Sequence, residues 1–138
     1  MEIHLVSIQT YHAFLTDVSE GRFPRTHWNH AAHLAMASSV IARGGGIDEV
    51  REAILSYNET QGIVSTPDSG YHETVTRFWC DRLAELFIGL GRGATAYDLA
   101  RAAVAGLAHR RDIFKAYYSF DVFRSRQARA EYVPPDLS

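Results

Sequence analysis

The chain has little of what stabilises secreted domains or anchors membrane proteins. Only one of its 138 residues is a cysteine, Cys80. A single thiol excludes an internal disulfide framework and a metal site built from several thiolates. No hydrophobic run approaches the roughly 20 residues that cross a bilayer. Because the first residues also lack the basic and apolar regions of a signal peptide, we expect a cytoplasmic protein that does not contact the membrane.

An excess of charge of one sign is also missing. The 14 basic and 16 acidic residues give a formal net charge of −2, and no basic stripe with interleaved aromatic residues is present. This balance argues against a nucleic-acid partner. Apolar residues make up 46 % and charged residues 22 % of the chain, as is typical of a folded globular protein. We therefore expect one domain over residues 1–138.

The strict alternation of β-strands is scarce, whereas helical spacing recurs along the chain. The pattern predicts a first helix that ends near Gly21 and a second helix from an N-cap at Thr26 to about Arg43. A third helix ends before Gly62. These boundaries follow from glycine and proline positions, where helices commonly stop.

The second half of the chain continues in the same way. A fourth helix, capped by Asp68 or Ser69, is predicted to reach Leu90, and a fifth begins with residues 95–98, which resemble a capping box. Shorter helices are expected over residues 113–118 and 127–132. The expected fold class is all-α, a compact antiparallel bundle of four main helices with short C-terminal helices.

Histidines occupy helix faces that should be buried. On the second helix, His30 and His33 share one stripe with Ala37. On the fourth, His72 starts a stripe that continues through Val75, Trp79 and further leucines. In an up-down bundle these two helices run in the same direction, so we expect their first turns to lie at one level. The third helix ends at that level with Tyr57 and Asn58.

Two mechanisms could use such a cluster, and a third interpretation needs neither. His30, His33, His72 and Glu73 could bind a divalent metal such as zinc, iron or nickel, which would activate water or a substrate oxygen. Without a metal, His72 beside Tyr71 and Glu73 could act as a general base. In the third interpretation the polar centre only fixes helix register in a non-enzymatic interaction module.

A pair of segments also suggests a family. Residues 30–34 read His-Ala-Ala-His-Leu, and residues 71–76 read Tyr-His-Glu-Thr-Val-Thr. The combination resembles an uncharacterised family of small bacterial all-helical proteins with a His-x-x-His-[Leu/Val] helix and a Tyr-His-Glu-Thr-x-Thr segment. The resemblance spans roughly residues 23–137 and includes Arg129 and Asp136 near the C-terminus.

The resemblance implies a shared site formed by His30, His33, Tyr71, His72, Glu73 and Thr76. Ala32 stands where the family tends to have an acidic residue, so a carboxylate that could orient an imidazole is missing. Together these patterns favour a small-molecule enzyme or binder with a buried, histidine-rich site. The 12 % of aromatic residues would supply apolar walls for a small ligand, and a homodimer is compatible with the sequence.

Overall fold

The structure of the protein is a computed structural model, which describes residues 5–137. Within this range no β-strand is present, so the predicted all-α class is confirmed, and no helix is long and apolar enough to cross a membrane. The α-helices are α1 (Ile8–Ser19), α2 (His30–Ala42), α3 (Ile47–Thr60), α4 (Glu73–Leu90), α5 (Ala96–Leu107) and α6 (Arg126–Ala130). Short 3-10 turns cover Arg25–His27, Arg111–Ala116 and Val122–Arg124.

Helix α2 lies at the centre of the bundle. It packs most extensively against α5 and also contacts α4 and α3. Ala32 and Ala35 of α2, like Ala100 and Ala103 of α5, have no exposed surface. Because a methyl group occupies so little space, these positions let helix backbones approach closely. A helix that is apolar on nearly every side can be buried on nearly every side, and α2 is buried from Leu34 to Ser38, while its first turn is partly buried.

Several helix ends agree with the sequence prediction. Helix α1 ends before Gly21, whose φ of +72° suits glycine, and α4 ends at Leu90. The capping box predicted at the start of α5 is present with both of its hydrogen bonds. The Thr95 hydroxyl accepts the Asp98 N–H at 3.1 Å, and the Asp98 carboxylate accepts the Thr95 N–H at 2.9 Å. These local signals decide the boundaries because they need no tertiary contact.

The predicted N-caps of α2 and α4 are wrong. Thr26 belongs to a separate 3-10 turn, and Asn29 caps α2 by accepting the Ala32 N–H at 3.0 Å. His72 caps α4, so the helix starts four residues later than a cap at Asp68 would allow and three later than one at Ser69. Histidine is not a usual cap, and its role here depends on a contact with a distant segment.

Smaller corrections concern the stripes and the C-terminal region. Leu90, the last leucine of the stripe predicted to be buried on the fourth helix, is 40 % exposed, whereas Phe78 of the same helix is buried. The segment predicted as a helix over 113–118 is the 3-10 turn Arg111–Ala116. The one predicted over 127–132 is α6, Arg126–Ala130. Tight 3-10 turns are common connectors, and spacing alone does not separate them from a short α-helix.

The close packing of α5 gives a first prediction. Replacing Ala103 by leucine should lower the free energy of unfolding by about 1–3 kcal/mol, because a well-packed interior has no room for three more carbon atoms. Ala105→Leu places the same side chain on the exposed side of α5 and should change stability by less than about 0.5 kcal/mol. Urea unfolding of both variants measures the difference. Equal effects would show that α5 does not pack as described.

Candidate functional site

A cavity of about 450 Å³ lies where the N-terminal ends of α2 and α4 meet α3. His30 and His33 reach it from the first turn of α2, His72 from the residue before α4, and Asn58 from the last turn of α3. The predicted convergence of these helix ends is therefore observed. The apolar walls include Trp28, Leu34, Ile54, Val75, Trp79 and Phe123.

Both ring nitrogens of His72 are bonded to the backbone. Nδ1 accepts the Val75 N–H at 3.1 Å, so Nε2 carries the proton and donates it to the Val122 carbonyl at 2.8 Å. The side chain is buried, and burial lowers its pKa, which favours this neutral form. A metal or a substrate proton would have to displace the Val75 N–H. This geometry speaks against the predicted roles of His72 as a metal ligand and as a general base.

The polar groups of Glu73 and Tyr71 are also already hydrogen-bonded. The Arg51 guanidinium donates to both carboxylate oxygens of Glu73, at 2.8 and 2.6 Å, and the Tyr71 hydroxyl donates to Oε1 at 2.8 Å. Arg51 is the main reason that the pKa of Glu73 is lowered. Tyr71 lines the cavity, whereas Glu73 does not. Glu73 therefore joins α3 to α4 and is not placed as a catalytic base or fourth metal ligand.

Thr74 and Thr76, the two threonines of the same segment, form hydrogen bonds with backbone groups. Thr74 donates to the Glu131 carbonyl at 3.0 Å and accepts the Val133 N–H at 2.9 Å. Thr76, which lines the cavity, donates to the His72 carbonyl at 2.7 Å. We call residues 71–76 the α4 clasp, because they bind the C-terminal segment to the start of α4. The clasp positions the cavity wall, and most of its own polar side-chain groups are already hydrogen-bonded.

The two C-terminal positions singled out by the family resemblance have structural contacts. Arg129 donates to the Gly70 carbonyl at 2.8 Å and to the Phe123 carbonyl at 3.3 Å, and it also lines the cavity. Asp136 accepts the Ser119 N–H at 2.9 Å. Both contacts fasten the C-terminal segment, and Arg129 does so directly beside the cavity.

His33 is hydrogen-bonded through Nδ1. Its Nδ1 lies 2.7 Å from the Asn29 carbonyl, which can only accept, so Nδ1 carries the proton. The ring packs on the Trp28 indole with centroids 4.2 Å apart. Burial lowers the pKa of His33, so the ring is neutral and its Nε2 lone pair is directed away from the Asn29 contact.

His30 offers the clearest chemistry in the cavity. Its Nε2 is buried and has no hydrogen-bond partner among residues 5–137. Burial, and next the neighbouring His33, lower the pKa of His30 to about 4, with the Leu107 backbone acting in the opposite direction. The imidazole is therefore neutral near pH 7. Its ring packs on Trp79 with centroids 4.6 Å apart.

Two further cavity residues share this property. Trp28 Nε1 and Asn58 Oδ1 are buried and also lack a hydrogen-bond partner in the described part of the chain. The sequence suggested Asn58 through its place at the end of α3, but nothing in the sequence singles out Trp28. Only the tertiary structure shows that its N–H reaches no acceptor between residues 5 and 137, so no local signal could have identified it.

The predicted metal set is not assembled. Between residues 5 and 137, no three His, Cys, Asp or Glu side chains are grouped so that they could hold a metal ion. Of the four predicted ligands, His72 and Glu73 are occupied by the contacts above, which leaves His30 and His33. Catalytic zinc sites usually have three protein ligands. Cys80 lines the cavity, but burial raises the pKa of its thiol to about 12, which disfavours the thiolate.

Comparisons of the chain with protein-family models, with curated proteins and with solved structures found no significant match. The family resemblance described above therefore stays a prediction. Fold and site together define a small all-α protein with a partly open cavity, whose walls are largely aromatic and aliphatic and whose polar lining residues include histidines, Trp28, Asn58 and two arginines.

Replacement of His72 tests its structural role. His72→Leu should lower the free energy of unfolding by about 2–3 kcal/mol, because the Val75 N–H and the Val122 carbonyl both lose a buried partner. His72→Asn keeps an oxygen that can cap α4, so about half of the loss should be recovered. Urea unfolding measures both variants. A leucine variant as stable as the wild type would contradict the assignment.

The histidines also predict how stability depends on pH. Burial lowers the pKa values of His30, His33 and His72 below the 6.5 of a solvated imidazole. Between about pH 6.5 and pH 4 the unfolded chain therefore binds more protons than the folded chain. The free energy of unfolding should be highest above about pH 6.5 and should fall as the solution becomes more acidic.

Urea unfolding at a series of pH values between about 7.5 and 5 measures this slope. His30→Gln removes one of the titrating groups and should make the slope shallower. A free energy of unfolding that stays constant over this range in the wild type would show that the imidazoles are not buried in their neutral form.

Proposed function

We propose that the protein binds a small molecule in this cavity and recognises it through Trp28 Nε1, His30 Nε2 and Asn58 Oδ1. The supporting observation is that all three atoms are buried, belong to residues that line the same cavity and have no hydrogen-bond partner among residues 5–137. The indole offers a donor, the amide oxygen an acceptor, and the neutral imidazole can serve as either.

The energetic cost of this arrangement favours a binding site over a structural core. An unsatisfied buried polar group costs about 1–3 kcal/mol, and folded proteins contain few of them. Three such groups on residues that line one largely apolar cavity are typical of a ligand site, where a few polar atoms fix orientation and apolar surface supplies affinity. A cavity of about 450 Å³ is within the usual range for such sites.

Binding explains the polar atoms better than helix register does. In a module whose polar centre only fixes register, the buried groups would bond to one another or to the backbone. Tyr11 does so by donating to the Ala35 carbonyl at 2.8 Å, and Ser38 by donating to the Leu34 carbonyl at 2.8 Å. The cavity atoms have no such contacts, so the interaction-module hypothesis leaves them unexplained.

The same geometry favours binding over general-base catalysis. His30 would take over the base role first predicted for His72, but a pKa of about 4 lies roughly three units below neutral pH, where a general base works poorly. A neutral imidazole of this kind is well suited to form hydrogen bonds. We therefore propose recognition as the primary role of His30, with no requirement for a metal.

Paired asparagine variants separate the binding role from a structural one. Asn58→Leu removes a polar atom without a partner and should leave the free energy of unfolding unchanged or raised. Asn29→Leu removes the cap of α2 and should lower it by about 0.5–2 kcal/mol. Urea unfolding of both variants measures the contrast. An Asn58 variant as unstable as the Asn29 variant would show that Asn58 has a structural partner.

Ligand binding itself can be followed by intrinsic fluorescence, because the two tryptophans of the chain, Trp28 and Trp79, both line the cavity. Benzamide, benzoate and benzylamine are one-ring probes of similar size with neutral, negative and positive charge. We expect at least one to give a saturable change, and Asn58→Leu to weaken benzamide, whose amide N–H groups can donate to the Asn58 oxygen, about tenfold. No saturable response to any probe would contradict the proposed function.

A further inference from the structure

We infer that the ligand is a small carboxylate with an aromatic or apolar body, whose charged end contacts the guanidinium of Arg111. This inference rests on the proposed binding function and names the class of molecule that the cavity takes. It follows from the charges around the cavity, from the contacts of its two arginines and from the shape of its walls.

The charge around the cavity has one sign. Among the described residues that line it are Arg111 and Arg129, and no Asp or Glu is among them. The carboxylate of Glu73 lies outside the lining and is already bonded to Arg51 through both oxygens. A cationic ligand would meet a positive potential without a counter-charge, whereas an anion would be attracted.

The two arginines differ in what their N–H groups already do. Arg129 donates to the Gly70 and Phe123 carbonyls, so much of its donor capacity serves the fold. Arg111 stacks over the Phe123 ring at 4.2 Å, and no carboxylate in the described part of the chain lies within ion-pair distance of it. Stacking uses the face of the guanidinium and leaves its N–H edge available for an anion.

Arg111 differs from its neighbour Arg110, which has an acidic partner. Arg110 pairs with Asp112 at 3.3 Å, so this nearby carboxylate is not available to Arg111. Arg111 is also one of the exposed residues of the lining, together with Asn29 and Gly70. These residues mark the open side of the cavity, which is where a charged group can keep part of its hydration while the ligand body is buried.

The helix ends add to the same potential. The N-terminal end of α2 lies at the cavity, and no acidic residue occupies its first turn. The positive end of its dipole is therefore not compensated locally. His30 and His33 contribute no net charge at neutral pH, so the positive charge beside the cavity comes from Arg111, from Arg129 and from this helix end. Of the two guanidinium groups, Arg111 is the one whose N–H edge is available, and one such edge matches a single carboxylate.

A carboxylate also fits the geometry of the donor and the cavity. Guanidinium and carboxylate groups form paired, parallel hydrogen bonds. Beyond Arg111, the walls are made of Trp28 and Trp79 together with Leu34 and Ile54, which favour a ring or a short branched chain.

The three probes of the preceding section test this inference in the wild-type chain. Benzoate should bind about tenfold or more tightly than benzamide, because only the anion forms a charge-assisted pair. Benzylamine should bind most weakly. Added salt should reduce the affinity for benzoate more than that for benzamide, since the arginine lies on the open side of the cavity.

Arginine variants assign the preference to one side chain. Arg111→Gln should remove the advantage of benzoate over benzamide and leave the affinity for benzamide within about twofold. Arg101→Gln is the matched control, because Arg101 also stacks on a ring, that of Tyr97 at 5.5 Å, but does not line this cavity. It should keep the full preference, and Arg111→Lys should keep part of it.

The outcomes separate this inference from the proposed function. If benzamide or benzylamine binds as tightly as benzoate to the wild type, the carboxylate assignment is overturned, although the cavity still binds small molecules. If benzoate keeps its advantage in Arg111→Gln, the role of Arg111 is overturned. If no probe binds, both proposals fall. The wild-type ranking decides the ligand class even if Arg111→Gln does not fold.

Discussion

The arrangement depends on the capping of a buried helix end by an imidazole. The first turn of α4 needs acceptors for its N–H groups, and His72 supplies one through Nδ1 while its Nε2–H binds the Val122 carbonyl. One side chain thus satisfies a helix end and fastens a segment fifty residues further along the chain. Since both contacts are buried, loss of the imidazole would leave two unsatisfied groups inside the protein.

This fastening gives the cavity its shape. The α4 clasp binds the C-terminal segment through His72 and Thr74. Arg129 of that segment in turn donates a hydrogen bond to the Gly70 carbonyl. The cavity is therefore bounded on one side by the fastened C-terminal segment and on another by the first turn of α2. Around it, polar atoms that serve the fold have partners, while Trp28 Nε1, His30 Nε2 and Asn58 Oδ1 have none in the part of the chain that the structure describes. This division is the reason to treat the second group as a site.

The sequence predicts much of the fold and only part of the site. Helical spacing and local caps such as Thr95 with Asp98 identify α1 to α5, because those signals act within one turn. The inward faces of His30 and His33 also follow from spacing. The cap role of His72 does not, since it depends on Val122, and neither does the engagement of Glu73 by Arg51. The free donor of Trp28 and the uncompensated charge of Arg111 likewise depend on tertiary neighbours.

The most direct test of this account is the ¹⁵N NMR spectrum of the imidazole rings, recorded near neutral pH with and without benzoate. We predict that His72 is neutral with its proton on Nε2, and that its nitrogen shifts do not change when benzoate is added. The nitrogens of His30, also neutral, should shift as the cavity fills. The account would be contradicted by a His72 ring that is protonated near neutral pH, or by ligand-induced shifts at His72 with none at His30.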